Sequence, residues 1–162
     1  MSIQIRKATE ADVPTIHSFI RRLAIYEKLE HEHVGTEQDL HKTLFQDQFA
    51  HVVIAKDTAT DKDVGFALYF HNYSTFLSRP GIYLEDLFVS EEARGKGVGK
   101  ALLKHLAQTV VQMGGGRLEW SALDWNKPAI DFYTSETVGA RTQTEWLGFR
   151  LAGDALTKFA GL

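Results

Sequence analysis

The sequence contains no cysteine, which excludes disulfides, thiolate metal sites and a cysteine nucleophile and leaves the redox compartment unmarked. Positive charge is in deficit: 18 Lys and Arg stand against 21 Asp and Glu, for a formal charge of -3. A nucleic-acid surface needs a basic face to neutralise phosphates, so that class is disfavoured and no nucleic-acid partner is expected. No apolar run approaches the roughly 18 residues of a membrane-spanning helix. Met1 leads into Ile3, Ile5, Arg6 and Lys7 without the apolar stretch and small-residue cleavage site of a signal peptide. A soluble, cytoplasmic protein with no membrane partner is the expectation. What is present is 162 residues, 44% of them hydrophobic, enough for one packed core, so residues 1–162 are expected to form a single domain.

Local patterns order the chain. Ser2 to Arg6 reads as a strand, and Thr9 with Asp12 resembles a capping box opening a helix. Val13, Ile16, Ile20, Leu23 and Ala24 then recur at helical spacing, giving a buried stripe to about Leu29. Thr36 and Asp39 repeat the cap before a short helix carrying Leu40 and Leu44. His51 to Lys56 and Val64 to Tyr73 form a hairpin around the polar turn Asp57 to Asp63. Arg79-Pro80-Gly81 marks a turn before the strand Ile82 to Val89. A helix from about Gly97 to Met113 buries Val98, Leu102, Leu103, Leu106 and Val110 and stops at Gly114-Gly115-Gly116. Leu118 to Leu123 reads as a strand, and Lys127 to Ser135 as a helix with Pro128 in its first turn. Glu145 to Leu151 is strand-like, and Asp154 to Phe159 a final helical turn. The order implies an α/β layout with the sheet covered on both sides.

The chemistry concentrates where the strand ending at Val89 meets Arg94-Gly95-Lys96-Gly97-Val98-Gly99. Alternate glycines let the backbone approach an anion, and the helix start offers unsatisfied N–H groups and a favourable dipole. A Walker loop ending at Gly99-Lys100 would need Gly where Arg94 stands and Ser or Thr where Ala101 stands. A dinucleotide fingerprint would need Gly or Ala at Lys100 or at Leu102. Both phosphate loops therefore fail on residues, and a flexible glycine turn is the remaining structural alternative. His31-Glu32-His33 could suggest a metal, but imidazoles alternating in a polar connector are more often solvated, and no metal is assigned.

Arg-x-x-Gly-x-Gly between a strand and a helix resembles the acetyl-coenzyme A motif of the GNAT N-acetyltransferases. Leu23-Ala24-Ile25-Tyr26-Glu27, Tyr83-Leu84-Glu85-Asp86-Leu87-Phe88-Val89 and Trp125-Asn126-Lys127-Pro128-Ala129-Ile130-Asp131-Phe132-Tyr133 are similar to motifs of the diamine (spermidine/spermine) and thialysine acetyltransferase group. The resemblance implies the GNAT acyl-CoA N-acyltransferase fold, a mixed, mostly antiparallel sheet flanked by helices. It implies acetyl-CoA as co-substrate, held by Leu87, Phe88, Val89, Arg94, Gly95, Lys96, Gly97, Val98, Gly99, Lys100, Asn126, Pro128, Ala129 and Tyr133. Tyr26, Glu27, Glu85 and Asp86 become the contacts of a small-molecule amine, and a homodimer is implied.

An alkylamine has a pKa near roughly 10 and must lose a proton before it attacks a thioester. The resemblance makes Glu85 the base or the group that orients a water, and Tyr133 the acid that assists departure of the thiolate. A solvated strand carboxylate at Glu85 or Asp86, a core tyrosine at 133 and a helix cap at Asn126 are the bland alternatives. The expected reaction is direct transfer of acetyl to a primary amine in a ternary complex. Acetylation of protein lysines or N-termini, and a non-catalytic acetyl-CoA-binding module, stay open as alternatives. Thr134 to Ala140 is longer than the turn usual in the family at that point.

Overall fold

A computed structural model describes residues 2–162. The chain divides into two compact units, the first running to Leu123 and the second from Asp124 to Leu162.

The first unit opens with β1 (Ile3–Lys7), whose Arg6 fixes the start of the next helix. The Arg6 guanidinium grips Asp12 with two bonds of 2.8 Å and reaches Asp63 at 3.0 Å. Asp12 also accepts the backbone N–H of Thr9 at 2.7 Å, so the capping box read from the sequence is present. That pairing holds the Asp12 carboxyl well below its ordinary range, at about 2. From there α1 (Val13–Tyr26) buries Ile16, Phe19 and Leu23 against the sheet. It ends earlier than the apolar stripe suggested, because Lys28 takes a left-handed conformation at φ 62°. The short α2 (Glu37–Leu40) runs into a π-helical turn at His41–Gln46.

The sheet follows as β2 (His51–Asp57), β3 (Lys62–Ser74), β4 (Arg79–Val89) and β5 (Leu118–Trp120), in the order β1-β2-β3-β4-β5. Its pairs are antiparallel except β4 with β5, which α3 (Val98–Gln112) connects as a crossover. The mixed, mostly antiparallel sheet expected from the sequence is thus the fold.

On one face Phe19 packs 5.7 Å from Phe66 and 5.6 Å from Phe88, ring centre to ring centre, in a core with Ile54 and Leu68. Burying each such side chain stabilises by about 1.5–3 kcal/mol. The other face lies under Val98, Leu102, Leu103, Leu106 and Val110 of α3. Gly65 allows this close packing: a Cβ there would sit 2.7 Å from the Phe88 carbonyl oxygen and 3.4 Å from Val98.

Arg79-Pro80-Gly81, expected as a turn, begins β4 instead. The reversal lies at 75–78, where Ser78 adopts φ 51° and the Ser74 hydroxyl accepts the Leu77 N–H at 3.2 Å. Pro80 donates nothing to the ladder, but its carbonyl accepts the Gly116 N–H at 2.9 Å. β5 stops at Trp120, short of the expected Leu123.

The second unit holds α4 (Lys127–Thr134) and α5 (Gly153–Phe159). Residues 145–151, read as strand-like, form no strand and lie exposed. Their alternating pattern describes a segment able to pair, but nothing in this unit offers it a ladder.

Candidate active site

The site begins with an irregularity in β4. Asp86 stands opposite Leu68 and Leu84 opposite Tyr69, so Glu85 is an extra residue, a bulge, in the β3–β4 ladder. The bulge reverses the phase of the strand. Before it, Ile82 turns its backbone toward β5 and donates to the Arg117 carbonyl at 3.0 Å. After it, Ser90 donates toward β3, to the Val64 carbonyl at 2.9 Å. By alternation, Leu87 and Val89 therefore direct their N–H and C=O groups to the edge away from β3. Pairing with β5 ends at Leu84 and Trp120, so among the described residues no strand covers that edge from Glu85 to Val89.

The bulge also decides where the carboxylates point. Residues directly opposite in a ladder share a face, and Leu68 belongs to the core beneath α1. Asp86, its partner, is thus turned to the α1 side, where that helix ends at Tyr26 and Glu27. Simple alternation without the bulge would have put Asp86 on the face of Leu84. Burial, reinforced by the charges of Glu85 and Glu27, pushes the Asp86 carboxyl up to about 6. Burial likewise raises Glu27, while Glu85 is exposed. Glu27, Glu85 and Asp86 thus form one acidic group at the end of α1, an environment that stabilises an added cation.

The strand leads through Ser90 and a short 3-10 turn at Glu91–Ala93 into the glycine-rich loop. Gly95 at φ 72° and Gly97 at φ 84° occupy backbone conformations that side chains disfavour. Gly97 is the N-cap of α3 and has no side chain with which to cap it. The amides of Val98, Gly99 and Lys100 consequently lack intrahelical acceptors and point outward, as an anion site requires. Two cations of the loop fold back on it: Lys96 Nζ donates to the Glu92 carbonyl at 2.7 Å, and Arg94 Nε to the Val89 carbonyl at 3.1 Å. The buried Val98 and Phe88 serve packing with their side chains, so only their backbones remain for a ligand.

The remaining sequence-derived residues belong to the second unit. Pro128 lies in the first turn of α4, and the carbonyl of Asn126 accepts the Ile130 N–H at 3.0 Å. Asn126 thus occupies the N-cap position of α4, as the cap alternative had it, though without a side-chain capping bond to the helix. Tyr133 is half-buried, its ring 5.6 Å from that of Phe132, and its carbonyl accepts the Ala140 N–H at 3.0 Å. The long segment after it folds into a tight turn, with Gly139 at φ 72° donating to the Ser135 carbonyl at 2.7 Å.

Known proteins are similar to this chain in sequence and in fold. Residues 20–139 match the model of the acetyltransferase (GNAT) family. The thialysine N-epsilon-acetyltransferase of Sus scrofa is 38% identical, with 99% of this chain and 98% of that protein covered. The chain belongs to the GNAT acetyltransferase family. The L-ornithine N5-acetyltransferase of Arabidopsis thaliana is 37% identical over 96% of this chain and 87% of its own length. A solved integron cassette protein from the mobile metagenome of V. cholerae superposes with a TM-score of 0.81 at 31% identity, covering 99% and 98% of the two chains. This GNAT protein is an N-acetyltransferase, as the motifs implied. Among the described residues, no helix is long and apolar enough to cross a membrane.

Two features of the GNAT site escaped the sequence. The bulge has no residue signature, since Glu85 and Asp86 read equally well in a regular strand. Arg22 of α1 belongs to none of the motifs read from the sequence. It donates to the buried Ser90 hydroxyl at 3.2 Å and lies 5.0 Å from the Phe88 ring centre, tying α1 to the entrance of the loop. Its position three residues beyond Phe19, on the stripe that faces the sheet, was the available signal.

Proposed function

We propose that this N-acetyltransferase transfers acetyl from acetyl-CoA to the side-chain amine of a small cationic amino acid of the thialysine and ornithine type. The observation that carries the reading is β4 itself: its uncovered edge at Leu87–Val89 leads to the glycine loop, while its bulge presents the acidic group. The pantetheine arm lies along that edge as an added strand, paired with the backbone of Leu87 and Val89. The pyrophosphate sits on the amides of Gly95 to Lys100, with Arg94 and Lys96 turning outward to it. Asn126, Pro128 and Ala129 complete the cofactor set.

The ammonium group is drawn to Glu27, Glu85 and Asp86, beside the ring of Tyr26. Asp86 titrates near neutrality, where a base both exists ionised and accepts a proton readily. Glu85 orients the water through which the proton leaves, or takes it directly. The neutral nitrogen attacks the thioester carbonyl, a C–N bond forms, the C–S bond breaks, Tyr133 gives its phenolic proton to the departing thiolate, and the proton shed by the acylated nitrogen restores the phenol. The chain contains no cysteine to carry the acetyl group, which favours direct transfer in a ternary complex.

The chain works as one functional domain and as a homodimer. Trp146 is 72%, Phe149 94% and Phe159 84% exposed in the second unit, apolar surface that a second copy would cover. The deciding assay is thiol release from acetyl-CoA with thialysine, ornithine, lysine, putrescine, spermidine, spermine and a lysine-containing peptide. Preference for thialysine or ornithine is expected. Turnover on the peptide alone would refute the small-amine reading.

A further inference from the structure

The acidic group adjoins a ring face that already carries a cation from within the chain. The Arg94 guanidinium lies 4.8 Å over the Tyr26 ring and 5.9 Å from that of Phe88. Its Nε–H is given to the Val89 carbonyl, an acceptor on the uncovered edge of β4. The contrast with Arg22 is informative. Arg22 lies 5.0 Å from the Phe88 ring centre, is bonded to the buried Ser90 hydroxyl at 3.2 Å, and approaches Glu92 at 3.7 Å, so its place is fixed by neighbours of both kinds. Arg94 is exposed and, among the described residues, has no carboxylate partner. It is held by an aromatic face and one neutral carbonyl. Those are the two things that incoming ligands would use, an ammonium on the ring and a pantetheine amide on the carbonyl.

We propose that Arg94 is an internal stand-in for the amine, occupying the Tyr26 ring until cofactor phosphates draw it away and so making amine binding depend on cofactor. The inference deepens the proposed function and rests on it. A guanidinium on phosphate makes charge-assisted, bidentate bonds roughly twice as strong as neutral ones, so bound cofactor wins Arg94 from the Val89 carbonyl and from the ring together. The vacated face of Tyr26, next to Glu27 and across from Asp86, then accepts the ammonium. Arg94 acts here as a positioning residue: it sets when the amine site is open without touching the amine. The strength of a partly exposed cation–π contact sets the coupling at about three- to fivefold.

The test is titration of the full chain with L-ornithine, with and without saturating coenzyme A, in the native protein and in Arg94→Met. The native chain is expected to bind ornithine about three- to fivefold more tightly with coenzyme A present. Arg94→Met is expected to reach that tighter value without coenzyme A and to gain nothing from it. This rise in affinity on deleting a side chain is an effect that a merely structural arginine would not produce. Ornithine affinity in Arg94→Met equal to or weaker than native, measured without coenzyme A, overturns the proposal and leaves the proposed function standing. A native chain that binds coenzyme A but neither binds nor acetylates any amine of the panel overturns both.

Discussion

Replacing Asp86 with asparagine should stabilise the protein, and the gain should grow with pH. The carboxyl titrates at about 6 in the folded chain against an ordinary 3.8. A raised carboxyl favours the folded state below its unfolded pKa, and the advantage disappears as pH climbs through the folded value. At about 1.36 kcal/mol per pKa unit, ionising Asp86 in place costs about 3 kcal/mol near pH 8 and about half a kcal/mol near pH 4. The asparagine side chain has nearly the same shape and no charge, so Asp86→Asn should recover most of that difference. For a chain of this size the gain near pH 8 corresponds to a rise in Tm of roughly 6–12 °C. Thermal and urea unfolding of both proteins near pH 4, 6 and 8 measures it, and saturating ornithine should shrink the gap by lending the native carboxylate a partner. An asparagine variant equally stabilised near pH 4 and pH 8, or destabilised near pH 8, would refute the placement of Asp86 among buried negative charge. Acetyl transfer by the variant should fall most near neutral pH, where unassisted amine is scarce.

The Arg6–Asp12 pair has the opposite sign. With Asp12 depressed to about 2, its contribution is present above the ordinary carboxylate range and is lost as pH falls toward about 2. Arg6→Met should therefore cost about 2–3 kcal/mol near pH 7, and the difference should close near pH 2, as read from urea midpoints. Tyr133→Phe should lower kcat about 10²-fold or more while the coenzyme A dissociation constant stays within about twofold; lost cofactor binding would make the residue structural instead. Trp146→Gln with Phe149→Gln should shift the protein from dimer to monomer in light scattering, and an unchanged mass would remove the tail from the interface.

The elements that were legible in the sequence are those whose cause is local. The Thr9–Asp12 cap, the stripe Ile16–Leu23 and the helix from Gly97 each announce themselves through neighbours one to four residues away, as helical contacts do. The glycine loop was equally visible because positive φ selects glycine. What stayed hidden depends on pairing across the sheet. Arg79-Pro80-Gly81 carries turn-forming residues, yet the register Tyr73 to Pro80 makes it strand. The residues 145–151 have a strand pattern with no ladder in their unit. The titration of Asp86 arises from a bulge that no single residue encodes, and from Glu27, distant in sequence. Glu27, Glu85 and Asp86 were singled out in the sequence and lie close enough for their charges to interact, but which of them is perturbed was a property of register.

The bulge has a consequence for how this strand tolerates change. The cofactor pairing proposed along Leu87–Val89 uses main-chain atoms, so it is indifferent to which side chain stands at position 85. Substituting Glu85 alters charge near the amine and leaves the edge intact. Deleting it would join Leu84 directly to Asp86 opposite Tyr69 and Leu68, a regular ladder in which residues 86–89 keep their partners, Asp86 keeps its face and the Leu87 and Val89 amides keep the outer edge. One missing residue would thus leave both surfaces in register and, like an exchange at position 85, change only the charge beside Asp86. Register against β3, rather than length, is what this strand must conserve.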